Sequence, residues 1–187
     1  MSSKVWLWGL LGFVAVFFLM LVGSYNGLVS ANVGVDAGWA QVENVLQRRY
    51  DLIPNLVSTV KGYAKHEAGV LEEVTRLRSQ WGEAKTPSDK MKVSQGLESA
   101  LSRLMVVVEQ YPNLKANESF LKLQDELAGT ENRIAVERMR YNEAVQTYNL
   151  KVQSFPSNLI ASIFNYKTKD AYFKAKEAAK EAPKVEF

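Results

Sequence analysis

Residues 5–23 read VWLWGLLGFVAVFFLMLVG, a stretch that contains neither a charged residue nor a proline. An α-helix rises about 1.5 Å per residue, so as a helix these residues would extend almost 30 Å. That length matches the hydrocarbon core of a bilayer, which is about 30 Å thick. The stretch therefore predicts one membrane-spanning helix at the start of the chain.

A cleaved signal peptide is the alternative interpretation of this stretch. Lys4 precedes it as a short basic region, and residues 29–31, Val-Ser-Ala, resemble a small-residue cleavage site. The apolar run is longer than the roughly 7–15 residues of a signal-peptide core, which favours a retained anchor. The chain contains no cysteine, so a lipidated-cysteine anchor and a disulfide framework are both excluded.

The charges that flank the apolar stretch give its expected orientation. Lys4 lies before the stretch, whereas the first basic residue after it is Arg48, which Asp36 and Glu43 precede. The positive-inside rule then predicts a cytoplasmic N-terminus, with the C-terminal part of the chain outside the cytosol. The net charge is +3 at pH 7, and basic residues are mixed with acidic ones, so no nucleic-acid partner is predicted.

Beyond residue 23 the apolar residues recur at intervals of three or four, as on one face of a helix. The first series comprises Val35, Trp39, Val42, Leu46 and Ile53. Pro54 is expected to end or kink this helix, and Asp51 is expected to cap a second helix that continues to Trp81. A third series extends from Met91 to Tyr111.

The longest series follows Asn117, a residue type that caps helix N-termini, and continues to Val152. At about 1.5 Å per residue this fourth helix would extend roughly 50 Å and end near Phe155 and Pro156. A short apolar segment, residues 159–164, comes next. No window alternates with period two for long, so strands are not expected.

These patterns predict an all-α protein. We expect an N-terminal transmembrane helix followed by a long antiparallel four-helix bundle with a short extra C-terminal helix. The expected divisions are a cytoplasmic stub and anchor (residues 1–23), the helical bundle (24–155), and a short amphipathic helix with the C-terminal tail (156–187). The first bundle helix is able to continue directly from the anchor.

Several motifs stand in a fixed order along the chain. They are residues 47–57, QRRYDLIPNLV; 111–117, YPNLKAN; 130–134, TENRI; 140–145, RYNEAV; 155–161, FPSNLIA; and 183–187, PKVEF. In this combination the chain closely resembles the LemA family of bacterial membrane proteins over essentially its whole length. The resemblance implies a transmembrane anchor that carries a bundle of long antiparallel helices, with no established enzymatic activity. It supplies no reaction, ligand or catalytic residue.

Catalytic or metal-binding chemistry would have to centre on His66, which stands beside Glu67. Di-metal helical bundles need Glu-x-x-His motifs on two helices, and this chain contains a single histidine. Cys-His catalysis is excluded, a Ser-His-Asp site would depend on His66 alone, and no Gly-rich phosphate loop is present. We therefore predict no enzyme activity, no cofactor and no metal site.

Polar residues occur on or beside the apolar faces of the predicted helices, where an unpaired charge would be costly. We interpret them as a structural network of cross-helix hydrogen bonds and ion pairs that fixes the helix register, with a ligand site as the alternative. The residues are Arg48, Arg49, Asp51, Pro54, Asn55, Glu131, Asn132, Arg138, Tyr141 and Asn142.

A series of small residues, which we call the small-residue stripe, continues from the anchor into the next helix. It comprises Gly23, Gly27, Ala31, Gly34 and Gly38. On a continuous helix these residues share one face, and such a face lets two helices approach closely, so we predict a self-association surface. A flexible stalk is the alternative, because each interior glycine costs a helix about 1 kcal/mol relative to alanine.

The short apolar segment after the fourth helix supplies Leu159, Ile160, Ile163 and Phe164. If the four helices alternate in direction, the chain returns to the membrane before this segment begins. These four side chains can then lie at the lipid interface. Packing against the base of the bundle is the alternative.

Together these features predict a non-enzymatic, membrane-anchored helical scaffold or adaptor of the bacterial envelope, placed in the inner membrane. The expected partners are membrane lipid, further copies of the chain and other envelope proteins. The alternative function is a helical bundle that binds a small ligand or a metal in a sensory or carrier role. Its first candidate residues are Glu131, Arg138, Tyr141 and His66.

Overall fold

The computed structural model describes residues 3–64 and 67–173, with side chains from Trp6 onward. Over these residues the chain is helical and contains no strand, so the all-α prediction is confirmed. The helices within the described ranges are α1 (Ser3–Lys61), α2 (Ala68–Glu83), α3 (Pro87–Val108), α4 (Pro112–Lys115), α5 (Glu118–Gln153) and α6 (Ser157–Ile163).

Helix α1 continues through Pro54 without interruption and ends at Lys61. The expectation that a second helix begins at Asp51 is therefore wrong. A proline inside a helix costs roughly 3 kcal/mol. Ile53, Leu56 and Val60 are buried on either side of it, and each such burial contributes about 1.5–3 kcal/mol. The burial of these three side chains thus offsets the cost of placing a proline, which cannot donate a backbone hydrogen bond, inside the helix.

Helices α3 and α5 begin with side-chain caps. The Thr86 hydroxyl accepts a hydrogen bond from the Asp89 amide at 3.1 Å, and Pro87 occupies the first turn of α3. The Asn117 side-chain oxygen accepts a hydrogen bond from the Phe120 amide at 3.0 Å, which confirms its predicted role as a cap. Each cap satisfies one of the backbone N–H groups that a helix start leaves without a partner.

The chain divides into two compact units. The first comprises Met1–Gly38 and Arg140–Tyr172. Within it, Ile160 and Ala161 of α6 are buried against Leu28 of α1. Lys151, near the end of α5, donates a hydrogen bond from Nζ to the Gly27 carbonyl oxygen at 3.0 Å. These contacts place α6 and the end of α5 beside α1.

The second unit comprises Trp39–Met139 and Phe173–Phe187. Helices α2 and α3 pack against each other in it, and the second half of α1 contributes its apolar face. The Trp81 ring stacks on Tyr50 at 4.5 Å between centroids, and its Nε1 donates to the Gln47 side-chain oxygen at 3.3 Å. The largest fully buried side chains in this unit include Tyr50, Phe120, Leu46, Ile53, Leu56, Leu97, Leu104, Leu114 and Ile134.

Candidate functional site

The side chains of the apolar start of α1 are exposed. Trp6 and Phe13 retain 77% and 71% of their accessible surface, and none of the described side chains from Trp6 to Met20 is buried. Among the described residues, α1 has the length and the apolar composition of a helix that crosses a membrane. Because so large an exposed apolar surface is unfavourable in water, this segment is a candidate membrane span.

Arg49 and Glu131 form an ion pair in the second unit, and the Arg49 side chain is buried. Arg49 Nη2 lies 2.5 Å from Glu131 Oε2, and the two side chains are 7% and 38% exposed. A guanidinium this deeply buried is unfavourable unless a carboxylate compensates its charge. The structure therefore brings together two residues that the sequence proposed for one polar network.

Arg138 contacts two polar residues of α3. Its Nη1 lies 3.3 Å from Glu98 Oε2, and its Nη2 donates a hydrogen bond to Ser94 Oγ at 3.0 Å. Ser94 and Glu98 were not expected from the sequence, although they stand four residues apart on α3. The sequence signal for this contact was Ser94, a polar residue on the apolar face of α3 between Met91 and Leu97.

Tyr50 is buried within reach of the charges of Arg49 and Arg138. Burial raises the pKa of its phenol well above the usual value, and the positive charges of Arg49 and Arg138 oppose this shift only partly. The Tyr50 hydroxyl is buried without a hydrogen-bond partner in the structure, as are Nε and Nη1 of Arg49. The raised pKa keeps the phenol neutral at physiological pH.

Two other members of the expected network make contacts at the surface of the second unit. Arg48 reaches Glu126 at 3.9 Å on the surface, and Asp51 accepts a hydrogen bond from Gln47 at 2.8 Å. Such exposed pairs contribute about 0–1 kcal/mol. Pro54, Asn55 and Asn132 are exposed. Tyr141 and Asn142 belong to the first unit, where Tyr141 is buried and Asn142 is partly buried.

A groove of about 390 Å³ lies between α3 and α5 in the second unit. Leu101, Met105 and Leu127 give it apolar walls, and Arg49 and Glu131 contribute its charged groups. The arrangement of an apolar wall with a few polar groups is typical of small-molecule sites. His66 lies outside the described residues, and within them no three His, Asp or Glu side chains come together as metal ligands do.

Members of the small-residue stripe differ in what they face. A Cβ atom added at Gly38 would lie 3.6 Å from the Cα atom of Tyr141, and one at Gly27 would lie 3.4 Å from Lys151 Nζ. Nothing in the described structure lies within 4 Å of a Cβ at Gly23 or Gly34. Gly27 and Gly38 are thus used for packing inside the first unit, whereas Gly23 and Gly34 face open space.

Helix α6 divides the four residues that were expected at the lipid interface. Ile160 is buried against α1, whereas Leu159, Ile163 and Phe164 are exposed. Phe155, two residues after the end of α5, is also exposed and was not among the expected interface residues. The Phe164 ring nevertheless contacts the Tyr25 ring, with 4.8 Å between centroids.

Comparison with known proteins places this architecture in a family. A model of the LemA family matches residues 38–187, which is most of the chain. The chain belongs to the LemA family. The match confirms the resemblance that the sequence motifs carry, and it includes both Arg49 and Glu131. Residues 5–23 of this LemA-family chain precede the match, so their assignment as a candidate span depends on their own length and composition.

Relatives of this LemA-family chain come from bacteria. Magnetosome protein MamQ 2 of Paramagnetospirillum magneticum is 29% identical over 191 residues, which cover 88% of the chain and 70% of that relative. Magnetosome protein MamQ of Magnetospirillum gryphiswaldense is 27% identical over the same shares of the two chains. Protein LemA of Metamycoplasma hominis is 23% identical over 149 residues, covering 79% of the chain and 68% of the relative.

Proposed function

We propose that this LemA-family chain is a non-enzymatic scaffold of the bacterial inner membrane, held by residues 5–23. The exposed apolar side chains from Trp6 to Met20 carry this proposal, because they require an apolar environment that the described chain does not provide. The names of the relatives support it, since they specify the magnetosome or the family and no reaction. Lys4 favours a cytoplasmic N-terminus and a helical domain on the other side of the membrane.

We further propose that α2, α3, the second half of α1 and the first part of α5 form an antiparallel four-helix bundle. Contacts within the second unit support opposite directions for neighbouring helices. Arg49 of α1 pairs with Glu131 of α5. Tyr63, which follows Arg49 in the chain, accepts a hydrogen bond from Asn117, which precedes Glu131, so α1 and α5 have opposite directions. In the same way α2 and α3 meet near the short connection between them, where the Lys90 ammonium lies 5.0 Å from the centroid of a Trp81 ring.

In the proposed scaffold, copies of the chain associate through Gly23 and Gly34. Leucine at both positions is expected to reduce the assembly extracted in mild detergent to the mass of a monomer, because close helix contact depends on small residues. Both positions face open space, so the substitutions leave the packing of the first unit intact. The measurement is the mass of the full chain in detergent by light scattering.

Ala40→Leu is the matched control for this experiment. It adds the same side chain to an exposed position of α1 outside the small-residue stripe, and the assembly is expected to persist. An unchanged mass for the Gly23→Leu, Gly34→Leu variant would contradict self-association through this face. Partners would then be sought among other envelope proteins.

The groove between α3 and α5 favours a second candidate function, the binding of a small amphipathic ligand. Arg49 Nε and Nη1 lack hydrogen-bond partners, and a carboxylate or carbonyl oxygen of a ligand with an apolar body would suit them. Native mass spectrometry of the detergent-extracted chain tests this alternative. A bound species that Arg49→Lys releases would support ligand binding, and a chain free of bound species would leave the scaffold proposal alone.

A further inference from the structure

Helix α6 is attached to α1 at the end of the candidate span. Its residues Ile160 and Ala161 pack on Leu28, and two residues nearer the N-terminus, Leu21 and Tyr25, pack against the same cluster. Leu21 belongs to the apolar stretch 5–23 itself. The cluster that holds α6 against α1 is thus packed against a side chain of the segment that we assign to the membrane.

Large apolar side chains in and next to α6 are exposed, and one of them, Phe164, also contacts Tyr25 of α1. We call this exposed surface the α6 apolar face and define it as Phe155, Leu159, Ile163 and Phe164. Phe155 and Ile163 are 78% and 74% exposed, and the other two residues are more than half exposed. Four large apolar side chains are thus exposed within ten residues, and such a patch marks a surface that another apolar phase or a partner covers.

The position of this face identifies lipid as the phase that covers it. Tyr25 lies two residues beyond residue 23, which corresponds to about 3 Å along a helix. The Phe164 ring, 4.8 Å from the Tyr25 ring, therefore lies at the depth of the lipid headgroups when residues 5–23 span the bilayer. Aromatic rings are enriched at this depth, and interfacial apolar faces enter roughly 5–10 Å into the headgroup and acyl boundary.

We propose that the α6 apolar face inserts into the interfacial layer of the leaflet from which α1 emerges, as a second membrane contact of the chain. This proposal deepens the proposed function and rests on its membrane span. The contact would fix the end of α5 at the membrane surface, because Lys151 of α5 is hydrogen-bonded to Gly27 of α1 next to the same leaflet. The exposed Lys167 supplies a cation for phosphate headgroups beside the face.

Single spin labels on the full chain test the proposal. The chain has no cysteine, so each introduced cysteine is the unique labelling site. We compare Ile163→Cys with Gln146→Cys in vesicles of phosphatidylcholine and phosphatidylglycerol, using Phe13→Cys as the reference within the span. Gln146 is exposed on α5, midway between Tyr141, which faces Gly38, and Lys151, which faces Gly27. It is therefore about 15 Å beyond the span.

The measured quantity is the collision rate of each nitroxide with oxygen, which concentrates in lipid, relative to that with a water-soluble nickel chelate. The expected ratio for Ile163→Cys is several-fold higher than for Gln146→Cys and lower than that of Phe13→Cys, because the interfacial layer lies between water and the bilayer centre. Leu159→Cys is expected to give the same result as Ile163→Cys. A water-like ratio at both α6 positions, with a lipid-like ratio at Phe13→Cys, would refute the interfacial contact while leaving the span intact. A water-like ratio at Phe13→Cys would refute the span itself.

Discussion

Arginine at both Phe13 and Phe17 is expected to remove the chain from the membrane fraction. Each arginine near the centre of a transmembrane helix costs about 2.5–3.5 kcal/mol on insertion scales, so the pair costs at least about 5 kcal/mol. The two rings lie on one face of α1, with 6.4 Å between centroids, so both charges would enter lipid on the same side. Fractionation after alkaline carbonate extraction measures the effect, because it separates integral from peripheral proteins.

The control for this variant replaces the same two residues with leucine. Phe13→Leu with Phe17→Leu keeps the segment apolar, and the chain is expected to stay in the carbonate-resistant membrane fraction. An α6 contact alone would give peripheral binding that carbonate removes, so this experiment reports on the span. A carbonate-resistant double arginine variant would be incompatible with residues 5–23 as the anchor.

Periodic sequence patterns predicted the helices of this chain well, because burial of one helical face is a local property of the sequence. The apolar series from Met91 and the cap at Asn117 both correspond to helices in the structure. The continuation of α1 through Pro54 was not predictable in the same way. It depends on how well Ile53 and Leu56 are buried by other parts of the chain, which the local pattern does not contain.

Pairing between helices was the least predictable feature of the candidate site. Arg138 was recognised as a polar residue near an apolar face, but its partners Ser94 and Glu98 depend on the register between α3 and α5. A similar limit applies to the small-residue stripe. Its members look equivalent in sequence, whereas the register between α1 and α5 decides that Gly38 faces Tyr141 and Gly34 faces open space.

Leucine in place of Glu131 is expected to lower the free energy of unfolding by about 3 kcal/mol. Removing one partner of a buried ion pair costs about 3–5 kcal/mol, and the lower end applies because Glu131 is 38% exposed. The loss arises because Arg49 would stay buried without a carboxylate. Urea unfolding of the detergent-solubilised full chain, followed by circular dichroism, measures the change. Glu126→Leu is the surface control, and its expected effect is below about 1 kcal/mol because Arg48 and Glu126 are exposed.

The double variant Arg49→Met with Glu131→Leu separates the structural interpretation from ligand binding. If Glu131 serves to neutralise Arg49, removing both charges should restore most of the lost stability, because replacement of a buried ion pair by apolar residues is often neutral. The coupling between the two substitutions then exceeds that between Arg48→Met and Glu126→Leu. If Glu131→Leu instead leaves the unfolding free energy unchanged, Arg49 does not depend on this carboxylate. Its buried N–H groups would then have to be satisfied by another acceptor, which is the role that the groove between α3 and α5 offers to a ligand.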